Sequence, residues 1–90
     1  MSVGALRDAL DAALAAEREA MGAAAEACQR TMAAGVRASG SVDYAGPEWV
    51  AYRDALEASV VKDQALVDRV GHRIWLAAEI EKRAGGVEHG

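Results

Sequence analysis

The sequence predicts an all-α protein, a long antiparallel helical hairpin that assembles as a homodimer into a four-helix bundle. Three observations carry this. The chain has 90 residues, one small domain at most. It is 52% hydrophobic, but 22 of those 47 apolar residues are Ala, the best helix former and a poor source of buried area. Turn-forming residues are concentrated in one stretch, Ser39 to Pro47, that divides the chain into two long halves.

Helix 1 is predicted over about residues 3–38. Ser2 supplies an N-cap, Asp8 and Asp11 lie early, and Arg30 and Arg37 lie late, in the order the helix dipole favours. Gly40 is placed to end the helix in the left-handed conformation. Helix 2 is predicted over about residues 47–84. Pro47 suits its first position, Glu48 its first turn, and Lys82 and Arg83 its last. Gly71 is the point at which this helix would break if there were three helices. Residues 85–90, Gly-Gly-Val-Glu-His-Gly, read as a flexible tail after a single hairpin domain over 1–84.

The bulky residues of helix 1 recur every eleven positions: Val3, Leu6 and Leu10, then Leu14, Glu17 and Met21, then Ala25, Cys28 and Met32, with Val36 opening a fourth round. Helix 2 carries a looser stripe from Trp49, Tyr52 and Leu56 to Ile74 and Ala78, with Asp63 inside it. The simplest expectation is that these stripes hold the hairpin together, with Cys28 in its core. A second face, of Ala9, Ala13, Ala16, Ala20 and Ala27, then packs against another copy of the chain. Asp at Ala20 or Ala27 would break that association first. Trp49 and Tyr52 near the loop, and Trp75 further along, are the candidate anchors for contacts with another protein.

Several functions are excluded or disfavoured. The net charge is −4 and no basic block is present, so nucleic acid is not an expected partner. One Cys rules out an intrachain disulfide or a multi-cysteine zinc site. No apolar run is long enough to span a membrane, and the first residues lack a leader's pattern, so a cytoplasmic location is expected. No nucleophile, phosphate loop or cofactor motif is present, and the expectation is a non-enzymatic interaction module without a cofactor or metal: an adaptor, structural subunit or small regulator.

The carboxylates that interrupt the stripes are the exceptions to test. Antiparallel pairing through this loop makes opposed residue numbers sum to about 85, which sets Glu17 near Val67–Val70 and Asp63 near Met21–Gly22. Each acid is expected to reach solvent or an arginine, with Arg18 and Arg53 as candidates. An intersubunit metal site using both acids is the minor enzymatic alternative. Asp68, His72 and Glu79 share one side of helix 2 and are read as solvated surface, with ligand binding as the alternative.

An acidic helical hairpin of this size resembles the WXG100 family of secreted helical hairpins. Trp49 is followed by Val50 and Ala51 where that family has Trp-x-Gly. Tyr44 and Glu48 have the spacing of its Tyr-x-x-x-Asp/Glu export signal, but lie in the interhelical loop. The resemblance is architectural, and it implies an exported interaction protein as the alternative function.

Overall fold

The computed structural model describes residues 2–89, as two helices. α1 spans Val3–Ser39 and α2 spans Pro47–His89. They lie against each other as an antiparallel hairpin measuring 69 × 16 × 15 Å, and the described residues contain no strand. α2 runs unbroken through Gly71 and through Gly85, past the expected end at residue 84. Gly90 lies outside the described residues.

The helix ends follow local chemistry. Ser2 Oγ accepts a hydrogen bond from the Ala5 amide at 3.1 Å, satisfying one of the first-turn donors. At the other end the expectation of a left-handed Gly40 is corrected: its φ is −84°. α1 instead tightens as it stops, with Gly40 N–H donating to Arg37 O and Ser41 N–H to Ala38 O. In the loop, Asp43 Oδ1 accepts from Ala45 N–H and Asp43 O accepts from Gly46 N–H. A Cβ on Gly46 would stand 2.7 Å from Asp43 Oδ2 and 3.0 Å from Asp43 O, so a side chain here would have to displace the Asp43 carboxylate and crowd the turn's backbone. Gly46 O then accepts from Val50 N–H and starts α2 at Pro47.

The seam between the helices is not the one the bulky residues suggest. On α1 it consists of two seven-residue series: Leu6, Ala13, Ala20, Ala27 and Ala34, and Leu10, Glu17, Ala24, Thr31 and Ala38, all buried or half-buried. These are the d and a positions of a heptad repeat. α2 answers with Tyr52, Ser59, Leu66, Arg73 and Ile80, again seven apart and half-buried. Ala dominates the α1 side because a small side chain lets two backbones approach closely; the larger Leu6 and Leu76 fill the open end, packed with Leu10 and Ile80.

The expected division of labour is therefore reversed. Ala13 and Ala27 are buried inside the hairpin, Ala20 is half-buried in its seam, and Ala9 and Ala16 are half-buried along its edge. The bulky stripe of α1 begins in the seam and leaves it. An eleven-residue repeat advances about 50° per round relative to a seven-residue seam. Leu6 is accordingly 1% exposed, Leu14 36%, Met21 53%, Met32 66% and Val36 73%. Cys28, expected in the core, lies on this departing stripe and is exposed.

Candidate interaction surface

The register of the hairpin is fixed by three contacts. Thr31 Oγ1 lies 2.8 Å from Ala27 O in its own helix and 3.1 Å from Ala55 O across the seam. Gly35 lies against the Tyr52 ring, where a Cβ would stand 3.1 Å from Cε1. Glu17 takes two hydrogen bonds from Arg73, from Nε at 2.6 Å and from Nη2 at 3.2 Å. Glu17 thus meets an arginine, as expected of a carboxylate in the seam, but the partner is Arg73 and not the flanking Arg18 or Arg53. The helices pair much as expected, with Thr31 against Ala55 and Gly35 against Tyr52, and the long Arg73 side chain reaches along the seam to Glu17. The hydrogen bonds and charge of Glu17 raise the pKa of Arg73 further above its usual range, against a small opposing effect of burial.

This register divides the hairpin into two unlike faces. In an antiparallel pair, the e positions of both helices flank the seam on one side and the g positions flank it on the other. On α1, e and the adjacent b positions hold Leu14, Arg18, Met21, Ala25, Cys28 and Met32. On α2 they hold Leu56, Val60, Asp63, Val67, Val70 and Ile74. Met32, Gly35, Trp49 and Tyr52 line one groove together, which places these flanks of the two helices on the same side. Leu56 is 41% exposed, Val60 66%, Val67 62% and Ile74 54%. The result is one mainly apolar face along the middle of the molecule, interrupted by Arg18 and Asp63.

The opposite face is small and charged. There, Ala23 and Ala27 meet Ala55 and Ala58 between Glu26, Arg30 and Lys62. Further along, Ala16 and Glu19 face Ala65 and Arg69. Asp68 and His72 lie on this side. Asp68 accepts a hydrogen bond from Gln64, Glu79 pairs with Arg83 at 3.8 Å, and the His72 ring lies parallel to Trp75 with centroids 6.3 Å apart. The three residues take separate partners, and among the described residues no three His, Cys, Asp or Glu side chains are grouped to hold a metal ion.

The aromatic anchors expected from the sequence do not form one patch. Trp49 is central to a cluster at the loop end, with Tyr44 at 5.5 Å and Tyr52 at 6.0 Å between ring centroids, and its Nε1 donates to Ser41 O at 3.2 Å. Trp49 and Tyr52 are half-buried, while Tyr44 is exposed. The cluster ties the loop to both helices. Trp75 is some 26 residues further along α2, about 40 Å away, beside His72 on the charged side. The apolar face was missed as a site because its residues looked like core. The signal that could have found it was the seven-residue Ala series, which competes with the eleven-residue stripe for the seam.

No described helix is long and apolar enough to cross a membrane. No family model, curated protein or solved structure matches the chain.

Proposed function

We propose that this protein is a non-enzymatic helical interaction module that works by associating with itself and through that assembly with another protein. The observation that carries the reading is the exposed apolar face. Its seven exposed bulky side chains, Leu14, Met21, Met32, Leu56, Val60, Val67 and Ile74, at roughly 100 Å² each, present on the order of 700 Å² of apolar surface, above the roughly 300–600 Å² of the largest patch on a typical monomer. The hairpin cannot cover this face itself, because its two helices already face each other along the Ala seam.

The surface that associates is thus the bulky face rather than the Ala face. Light scattering over a wide concentration range tests the reading. The expected result is a particle of about twice the 9.4 kDa chain mass. Glu at Met21 or Val67 is expected to shift the population to monomer with helix content retained, and Glu at Ala16, on the charged side, is not. A fully helical monomer at every concentration overturns the proposal.

A further inference from the structure

We propose that a second copy of the chain covers the apolar face and that Asp63, enclosed in the contact, makes the association depend on pH, tighter in mild acid and weaker as the pH rises. The inference rests on the self-association proposed above and adds its regulation.

A second copy fits the face by area. A standard interface buries about 800 Å² per partner, close to the roughly 700 Å² of apolar surface here. The two charges that interrupt the face are placed differently. On each helix the e row lies next to the seam and the b row lies further out. On α2, Leu56 and Val70 of the e row are accordingly less exposed than Val60 and Val67 of the b row. Arg18 belongs to the outer row of α1, so its long stem lies along the edge of a covered face and carries the guanidinium out to water. Asp63 belongs to the inner row of α2, and its side chain is too short to leave it. It is also central in length, because the α2 part of the face, from Leu56 to Ile74, has its midpoint about two residues away.

In the free hairpin Asp63 is exposed and water solvates it. No cation stands beside it. It has no ion pair among the described residues. With Thr31 opposite Ala55 and Gly35 opposite Tyr52, it stands level with about residue 24 of α1, among Met21, Ala25 and Cys28. Of these only Cys28 titrates, and a thiol carries no charge in acid. Arg18 stands about six residues, or about 9 Å, further along. Lys62 lines the groove on the opposite side, Arg53 is paired to Asp54 and Glu57, and Glu17 is held by Arg73 in the seam.

The consequence is the same whichever way the second copy is turned. A two-fold axis along the helices sets α1 on the other copy's α2, and an axis across the hairpin sets α1 on α1 and α2 on α2. Both cover the inner rows. The first puts the two Asp63 carboxylates at one level, and an axis across the middle of the face puts them about four residues, or about 6 Å, apart along the bundle. The other copy's Arg18 stays about 9 Å out of step in the first and stands on the diagonal helix in the second. An ionised Asp63 therefore loses water and gains a like charge without gaining a cation, and both effects favour the protonated acid. The sign follows from linkage. The dimer holds more protons than two separate chains, so lowering the pH tightens association and raising it loosens association.

The test is sedimentation equilibrium of the full chain for the parent, Asp63→Asn and Asp63→Leu, with circular dichroism to check helix content. The parent Kd is expected to fall by about tenfold or more between about pH 7.5 and pH 5.5. Asp63→Leu is expected to bind about tenfold or more tightly than the parent at the higher pH, because no charge is left to enclose. In both variants the change in Kd between the two pH values is expected to shrink to within about threefold. They keep both histidines and every other carboxylate, so any slope those groups cause survives in them. Variants that match the parent Kd at both pH values show that Asp63 stays in water, which overturns this inference while leaving self-association standing. A parent that is monomeric at every concentration and at both pH values overturns both.

Discussion

At the scale of single residues, three glycines inside helices separate backbone propensity from packing. Gly22 and Gly71 have nothing within 4 Å of where a Cβ would stand, whereas Gly35 would place one 3.1 Å from the Tyr52 ring. Ala restricts the unfolded chain and favours helix over Gly by about 0.5–1 kcal/mol. Gly22→Ala and Gly71→Ala are therefore expected to stabilise the protein by about that amount each, read as a raised urea midpoint. Gly35→Ala has the same helical gain set against displacement of Tyr52, and is expected to gain nothing or lose stability. Equal gains at all three positions would show that Gly35 is not a packing glycine. Glu17 supports a second prediction. It is the α1 seam's sole ionised side chain and holds Arg73 through both carboxylate oxygens. Glu17→Gln keeps an acceptor but removes the charge, so the variant is expected to melt earlier than the parent in low salt and to lose less stability when salt is added. Identical salt dependence in urea melts would count against the pair. Because its pKa is raised, Arg73 contributes stability that is fully present below the ordinary arginine range and lost only above it, so it adds no pH slope between about pH 5 and 9.

At the scale of the helices, close approach decides the seam, and this also decides how much of the structure was legible. The existence, direction and starting points of both helices follow from Ser2, Pro47, Glu48 and the turn residues between them. The face each helix turns inward does not follow from apolar content, because α1 carries two apolar periodicities. Near Leu6 and Leu10 they coincide and α1 turns the expected residues inward, although α2 meets them with Leu76 and Ile80 rather than with the Ile74 and Ala78 of its expected stripe. By Met32 and Val36 they have diverged around the helix, and the seam keeps the smaller residues, Thr31, Ala34 and Ala38. A pattern ranked by side-chain bulk favours the wrong stripe wherever small residues let helices pack more closely. The end of α2 was misjudged for a related reason: Gly85 permits a turn but does not require one. The consequence is testable at Ala34, which is 3% exposed in the seam. Ala34→Leu is expected to cost about 1–3 kcal/mol by forcing the helices apart, whereas Leu at the neighbouring exposed Ala33 is expected to change stability by less than about 0.5 kcal/mol. Likewise Asp at Ala27, once expected to break association between copies, is expected to unfold the hairpin itself.

At the scale of the whole molecule, the hairpin spends its closest packing on small side chains and leaves its larger ones outside. Among the described residues, only Leu6 and Leu76 of the larger apolar side chains are fully buried. A 90-residue chain with so few large groups inside has little hydrophobic stabilisation of its own, and small domains of this kind depend on disulfides, metals or association. The single Cys cannot form a disulfide within the chain, and the association proposed above would supply the missing stabilisation. If folding and association are linked, stability must depend on protein concentration, because mass action favours the dimer over two unfolded chains. A tenfold rise in concentration then adds about 1.4 kcal/mol per dimer, or about 0.7 kcal/mol per chain, equivalent to an increase of about 3–6 °C in Tm for a domain of this size. Melting curves followed by circular dichroism from about 2 to 200 μM should therefore move upward in step with concentration. Met21→Glu should melt lower and lose this dependence, because it removes the interface without touching the Ala seam. A parent Tm that stays constant over that range would mean that the Ala seam alone folds the hairpin.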